Sequence, residues 1–517
     1  MDELRGLTVS ELLRTSAQHT PDAPFIRFGD QVHGYGAVHD AACRYSTSLV
    51  AAGIAKGDLV AIMMKNSITF VEVYAALAHC GAAVVLINPE FRGYMLEYVL
   101  NDAGCRLIVT DSDLVGQIAE SAPRLESLTH VLTSGGRSGV SVPGLQIAAL
   151  VAAEIPMEPD PSTRPSDLHC VVYSSGTTGP SKGIMISNAH ALVKALEVIR
   201  ICAFTSDDVL YSPLPLFYSM GLLRGVLSVA LTGSSIVLRD KFSVSAYWDD
   251  VRRSGATVAH SVFSLPLMLA TQPASPGDRQ HTLRCMFNAR YDEAFEQRFG
   301  VRLIEGYGLT EAGNAIYSRP DEPPVAGSCG RASDEWDVRL ADPEGREVPV
   351  GEIGEILIRP LLPDRIMLGY LNKPEVTVAA TRDLWFHTGD LATRDHEGFF
   401  FYRGRIKEMI RRRGQNISAW EVEQIVNGLD AVAESAAIPY PSEVGDDDLR
   451  VVVVPAPNET VDLIRLAEHC ERNMPAFMVP RYLEIRAELP KTPSGRVEKY
   501  RLLEDPLDEG VFDRSRR

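Results

Sequence analysis

The stretch that decides the fold is Asp58–Asp111, DLVAIMMKNSITFVEVYAALAHCGAAVVLINPEFRGYMLEYVLNDAGCRLIVTD. Short apolar, β-branched runs (LVAIMM, AAVVLI, RLIVT) alternate in it with the helical segments SITFVEVYAALAHCG and GYMLEYVLNDAG. A strand–helix–strand rhythm of this kind predicts an α/β sandwich built on parallel sheet. The apolar stretch Val71–Val85 is broken by His79 and Gly81, which predicts buried core and not a membrane span.

Outward from this segment the rhythm returns between Asp207 and Leu238 and again between Val258 and Ile304. From Val325 to Arg359 the character changes to short strands punctuated by Gly, Pro and Asp, the mark of a small β subdomain at about residues 325–400. Beyond Phe399–Ile410 lies a further α/β unit, with strands expected near AESAAIPY and LRVVVVPA and a helix at VDLIRLAEHCERN. The expected fold is therefore α/β, with a large N-terminal domain of stacked α/β sheets over residues 1–405. A small α/β C-terminal domain follows over 406–517, the boundary falling in the short polar link Arg405–Lys407.

At 517 residues the chain is long enough for several buried cores, and 45% hydrophobic with 23% charged residues is the balance of a soluble globular protein. A formal charge of -17 argues against nucleic acid or anionic membrane as a partner. The amphipathic, charged start lacks the apolar centre of a signal peptide. The eight cysteines are scattered, with no CxxC pair and no histidines at metal spacing. Free thiols in the cytoplasm are the expectation.

Three segments carry chemistry. Tyr173-Ser-Ser-Gly-Thr-Thr-Gly-Pro-Ser-Lys-Gly183 follows an apolar strand and precedes another. A loop dense in Gly, Ser and Thr offers backbone N–H groups and hydroxyls to polyphosphate oxygens, and Lys182 adds a point charge. It lacks the spacing of a Walker A loop, and a flexible surface hairpin is the bland alternative. Gly306-Tyr-Gly-Leu-Thr-Glu311 sets a carboxylate beside a hydroxyl after the strand VRLIE, an oxygen pair suited to Mg²⁺; a helix cap is the competing role for Glu311. Phe386-His-Thr-Gly-Asp390 presents an acid on a glycine turn, fit to accept from both ribose hydroxyls.

Taken in order with Gly404-Arg-Ile-Lys407, Arg413-Gly-Gln-Asn416 and Leu489-Pro-Lys-Thr-Pro-Ser-Gly495, these segments resemble the superfamily of acyl-CoA synthetases, peptide-synthetase adenylation domains and luciferases. DDVLYSPLPLF, FGVRLIEGYGLTE and WFHTGDLATRDHEGFFFYRGR are most similar to the crotonobetaine/carnitine-CoA ligase branch. The resemblance covers nearly the whole chain. It implies a C-terminal domain that rotates between two half-reactions about a hinge at Lys407. It assigns Ser174, Ser175, Gly176, Thr177, Thr178 and Lys182 to the ATP phosphates, and Thr310 with Glu311 to phosphate and Mg²⁺. Tyr307, Gly308 and Ala289 fall against adenine, Asp390 and Arg405 on ribose, and Phe217, Tyr218, Gly221, Arg290 and Asn314 around the acyl group.

The implied reaction is activation of an acid by ATP as an acyl-adenylate, followed by transfer to a thiol, that of coenzyme A. The chain departs from the pattern at three points. Where the family places a catalytic lysine after Ser-Gly stands Arg496, in TPSGRVEKY. Arg496 itself, Lys499 or Lys491 is then the catalytic cation, or adenylation has been remodelled. Tyr218 replaces a customary histidine, and Phe287-Asn-Ala-Arg290 lacks the usual Gly-Ala-Pro and looks shortened. These departures keep open a non-CoA acceptor (an amine or carrier protein) or activation of nitrite for N–N bond formation, as in secondary metabolism. Arg411-Arg-Arg413 is either a solvated turn or a patch for the CoA phosphates. A homodimer is compatible with all of this.

Overall fold

The computed structural model describes residues 6–173, 181–262, 264–406, 409–412, 415–441, 447–474, 476, 478–492, 495–507 and 510–516. The chain divides into two compact units. One comprises Met1–Ser174, Lys182–Asp337 and Pro360–Ala379; the other comprises Ser175–Ser181, Val338–Arg359 and Ala380–Arg517.

The Asp58–Asp111 stretch folds as its alternation predicts. Strands Leu59–Met63, Ala83–Leu86 and Leu107–Asp111 pair in parallel, separated by helices Ile68–His79 and Tyr94–Ala103. They form the middle of an eight-stranded sheet that continues through Leu168–Tyr173 and Gly183–Ser187 to the edge strand Gly369–Tyr370. Its central strands are buried along all but the first residue, Leu59, as a parallel sheet covered on both faces requires. Helix Ile68–His79 is capped by Ser67, whose hydroxyl accepts from the Phe70 amide at 3.0 Å. All but one of its residues are buried, so this uniformly apolar segment is a core helix.

A second sheet of seven strands holds Val209–Ser212, Val258–His260, Cys285–Phe287 and Arg302–Ile304 as parallel neighbours. The carboxyl ends of these strands share one edge, where Phe217–Gly221, His260, Phe287–Arg290 and Glu305 emerge. Open α/β sheets bind ligands beyond such an edge. Gly306–Gly308, Asn314–Tyr317 and Gly330–Ala332 then form an antiparallel ladder.

In the other unit, Phe386–Arg394 pairs antiparallel with Gly354–Pro360 on one side and Phe399–Arg405 on the other. The C-terminal α/β element has strands Val432–Pro441, Asp447–Pro455 and Tyr482–Ile485, with helices Ala419–Asn427 and Leu463–Asn473. Its core includes Ile410, Val422, Leu449, Val451, Leu466 and Leu483, drawn from both the strands and the helices.

All eight cysteines are free and buried. One group escaped the spacing rules: the ring nitrogens of His39 and His79 and the Cys43 sulfur lie within 4.8 Å of one another. They form a hydrogen-bonded chain, with His79 Nδ1 2.7 Å from Ser10 Oγ and His79 Nε2 3.1 Å from His39 Nδ1. Burial holds His79 neutral, down to about 3, as fits a satisfied polar core. Among the described residues no helix is long and apolar enough to cross a membrane.

Candidate active site

Ser174, Ser175, Gly176, Thr177 and Thr178 lie outside the described residues, as does Lys407. Lys182 closes that loop immediately before strand Gly183–Ser187. The strand pairs antiparallel with the two-residue edge strand Gly369–Tyr370, in the register Tyr370 to Ile184. This puts the Tyr370 ring under the Lys182 ammonium, 4.8 Å from the ring centroid.

Thr310 and Glu311 occupy the loop of the hairpin Gly306–Gly308/Asn314–Tyr317. Glu311 therefore caps no helix. Oε1 of Glu311 accepts from the Tyr370 hydroxyl at 2.9 Å, and its backbone carbonyl accepts from the Met367 amide at 2.7 Å. Burial and then the adjacent carboxylate push the Tyr370 phenol far up, so it remains a donor. Lys182, Tyr370 and Glu311 thus form one connected group, of which sequence reasoning missed the middle member. Its signal was a Gly-Tyr pair in LGYLNKPE, too short to stand out as a strand.

Tyr307 is buried within the first hairpin strand, opposite Ile316, and Gly308 is exposed beside it. Asn314 is buried, and its backbone N–H donates to Glu197 Oε2 at 3.0 Å. Phe217 and Tyr218 are half-buried with ring centroids 4.4 Å apart. Gly221 follows where the chain doubles back, since a Cβ there would fall 2.3 Å from the Pro215 carbonyl oxygen. Ala289 is fully buried at the end of its strand, bonded to the Ile304 carbonyl at 3.1 Å, whereas Arg290 is exposed.

Beneath these residues sits a charged group that the sequence reading passed over. Helix Asn188–Cys202 buries Lys194 and Glu197. Lys194 donates to the Ala312 carbonyl, tying the helix to the Glu311 loop. Desolvation, then the positive field of Arg224, draws the Lys194 ammonium well down. Lys194 and Glu197, set among the apolar residues of NAHALVKALEVIRIC, were the available signal.

The ribose candidates meet in the other unit. Asp390 and Arg405 face each other across paired strands, and Arg405 Nε donates to Asp390 Oδ1 at 3.0 Å. The Tyr402 hydroxyl reaches the same oxygen at 3.3 Å. Asp390 is only 2% exposed. The segment differs from the expected turn: it is a strand with a bulge, three residues opposing one, in which Gly389 has φ 72. The Thr388 hydroxyl donates to the Ile356 carbonyl at 2.7 Å and accepts the Asp390 amide at 3.1 Å, which fixes the acid's aim.

Near the C-terminus Gly495 donates to the Thr492 carbonyl at 2.8 Å and Lys491 bridges Val497, forming a tight hairpin that presents Arg496 on its exposed face. Lys499 instead opens helix Lys499–Glu504 and pairs with Glu423 at 2.7 Å. Lys491 pairs with Glu434 at 2.7 Å. Arg412 is neither solvated nor available to a phosphate. It is 5% exposed, bonded to Asp448 Oδ1 at 3.1 Å and to the Val479 carbonyl at 2.7 Å. Arg413 lies outside the described residues.

Residues 13–371 match the AMP-binding enzyme family, and residues 421–496 match the AMP-binding enzyme C-terminal domain. The crotonobetaine/carnitine-CoA ligase of Salmonella paratyphi C is 32% identical over 90% of this chain and 92% of its own length. ATP-bound MatB from Rhodopseudomonas palustris superposes with a TM-score of 0.84 at 26% identity, over 96% of this chain and 99% of that one. A benzoate CoA ligase from Burkholderia xenovorans LB400 shares the fold, with a TM-score of 0.84 at 21% identity over 96% and 100% of the two chains. A family match across both the hairpin carrying Glu311 and the strand carrying Tyr370, joined by a second match that takes in the Arg496 hairpin, makes this protein a member of the AMP-binding enzyme family.

Proposed function

We propose that the protein is an ATP-dependent, AMP-forming ligase that activates a carboxylic acid as its adenylate, releases pyrophosphate, and transfers the acyl group to a thiol, that of coenzyme A. The observation that carries this reading is the Lys182–Tyr370–Glu311 group: a cation and a fixed carboxylate held by one tyrosine. The crotonobetaine/carnitine-CoA ligase that matches nearly the whole chain is an acid–CoA ligase by name, and MatB is an ATP-bound structure.

A carboxylate is a poor electrophile because loss of oxide is prohibitive. Its attack on the α-phosphorus of ATP breaks the bond to pyrophosphate and leaves an anhydride with a good leaving group. The all-oxygen donors of Thr310 and Glu311 fit Mg²⁺, which when bound offsets charge on the departing phosphates. Tyr370 holds Glu311 in one orientation for this task. Lys182 supplies positive charge to the phosphates, and Asp390 with Arg405 orients the ribose. At the attacked phosphate, Arg496, which is exposed and stands where the family places its lysine, supports the developing charge. We assign residues 1–405 and 406–517 to the two domains, with Lys407 as hinge and a reducing cytoplasm as the compartment.

A screen of acids for substrate-dependent pyrophosphate release, with and without coenzyme A and with amines and nitrite as alternatives, tests the reading. It predicts acid-dependent pyrophosphate and AMP, and coenzyme A-dependent consumption of the adenylate. Release with nitrite and no carboxylic acid would instead place the chain among activators of small oxyanions. Lys407→Pro should slow thiol transfer more than adenylation, because a fixed φ hinders rotation there.

A further inference from the structure

Strand Gly369–Tyr370 carries the residue that joins Lys182 to Glu311, yet it is two residues long and lies at the edge of its sheet. It is tied to strand Gly183–Ser187 by the flanking amides of Leu368 and Leu371, which donate to the Met185 and Gly183 carbonyls at 2.8 Å each. The net worth of each such bond is small, so a ladder this short holds its strand weakly unless something else fixes it.

The chain leaving the strand is held by one acid on another element. Asn372 stands in the left-handed region, φ 55, and its Nδ2 donates to the Asp102 backbone carbonyl at 2.6 Å. Lys373 Nζ donates to Asp102 Oδ1 at 2.5 Å. The other carboxylate oxygen, Oδ2, accepts from the Tyr173 hydroxyl at 2.8 Å. Asp102 thus accepts three bonds, from three residues on two segments.

Asp102 lies in the last turn of helix Tyr94–Ala103, where backbone carbonyls lack a partner within the helix. The Asn372 side chain supplies one. The carboxylate faces the negative end of the helix dipole, where a cation would be favoured, so the helix itself gains nothing from an acid at this place. Lys373 brings the cation instead. The Lys373 and Asp102 side chains are 24% and 13% exposed, which spares the pair much of the screening that a surface pair meets. Tyr173, for its part, ends strand Leu168–Tyr173 opposite Gly183. A Cβ on Gly183 would stand 3.1 Å from Tyr173 Cζ and 3.2 Å from Leu371 Cβ. Both segments that Asp102 holds therefore pack against Gly183, the residue after Lys182.

We infer that Asp102 is a positioning residue of the site: it fixes the chain immediately after Tyr370 and so sets where the Tyr370 hydroxyl meets Glu311. Only Leu371 separates Asn372 from Tyr370. The Lys373 amide also donates to the Tyr370 carbonyl at 3.1 Å, closing a tight turn, so a shift at Asp102 reaches the Tyr370 backbone directly. Asp102 acts through Tyr370 on the orientation of Glu311. This inference rests on the reading of Glu311 as the Mg²⁺ carboxylate.

The test is a double-mutant cycle between Asp102→Asn and Tyr370→Phe, read by calorimetric titration with ATP, with Mg²⁺ present and with Mg²⁺ chelated. Asp102→Asn keeps the shape of the side chain but loses its charge and one of its two acceptors. It should weaken ATP binding about 10-fold in Mg²⁺ and by less than about twofold without it. In the Tyr370→Phe background it should add less than about twofold, because the route to Glu311 is already cut. Lys373→Met, which leaves the Tyr173 and Asn372 bonds in place, goes through the same cycle and should show the same pattern at about 3- to 10-fold; it decides the matter if Asp102→Asn does not fold. Parental affinity in Mg²⁺, an equal loss with and without Mg²⁺, or losses that multiply with Tyr370→Phe would each overturn the inference and leave Asp102 a purely structural residue. No acid is present in these titrations, so they stand apart from the reaction itself; formation of ADP in place of AMP by the parent enzyme contradicts the adenylating reading.

Discussion

The Tyr370 hydroxyl donates to Glu311 Oε1 at 2.9 Å, while the face of the same ring lies 4.8 Å from the Lys182 ammonium. One aromatic side chain therefore fixes both the acid and the base of the phosphate-binding group. Tyr370→Phe keeps the ring under Lys182 but frees Glu311. It should lower the rate of pyrophosphate release about 10- to 100-fold, the worth of one hydrogen bond to a charged group. The loss should shrink as Mg²⁺ is raised, if orientation of Glu311 is what was lost. A titration of release against Mg²⁺ reads this directly, and a parental curve would make Tyr370 a spectator.

Asp390 accepts from both Arg405 and Tyr402 inside a nearly closed environment. Asp390→Asn preserves shape and removes the charge, so it should weaken ATP binding by about 10- to 100-fold through loss of charge-assisted bonds. Calorimetric titration with ATP checks it. Unchanged affinity would confine Asp390 to holding the two strands together.

Arg496 and Lys499 should separate cleanly. Arg496→Ala should slow adenylation by about 100- to 1000-fold and spare transfer from a supplied acyl-adenylate. Lys499→Ala breaks the pair with Glu423, whose partners are 17% and 13% exposed, and should cost about 1 kcal/mol of stability. A larger loss of adenylation at Lys499 than at Arg496 would move the catalytic cation along the segment.

Glu72 carries a pH dependence of stability. Desolvation raises its carboxyl from 4.5 to about 7, with 8% of the residue exposed. An acid whose folded value is raised is undisturbed below its unfolded value; stability falls as pH climbs from 4.5 to about 7 and stays lower above it. Glu72→Gln should therefore gain about 3 kcal/mol near pH 8 and nothing near pH 4. Melting curves at the two pH values decide it, and an equal shift at both would point to packing.

Much of the fold was legible because the alternation in Asp58–Asp111 is a physical requirement of parallel strands joined by helices. Asp390 and Glu311 stood out because each sits in a short segment of unusual composition. Tyr370 did not, since it reaches the site by pairing with a strand nearly two hundred residues earlier in the chain, at Ile184. Arg224 and Lys194 looked like ordinary helix residues, and only burial shows that they lack solvent. Phe386–Asp390 was misjudged as a turn because a bulge uses the same glycine a turn would. Arg412 was misjudged because charge runs are commonly solvated, whereas here Asp448 draws one member inward.

The central claim is that Glu311 serves AMP-forming chemistry. Acid-dependent exchange of labelled pyrophosphate into ATP isolates the first half-reaction from any acceptor. With a turned-over acid, the parent enzyme should exchange pyrophosphate and form AMP, and Glu311→Gln should lose the exchange by at least about 100-fold while melting at the parental temperature. Exchange at the parental rate in Glu311→Gln, or formation of ADP and phosphate by the parent enzyme, would contradict it.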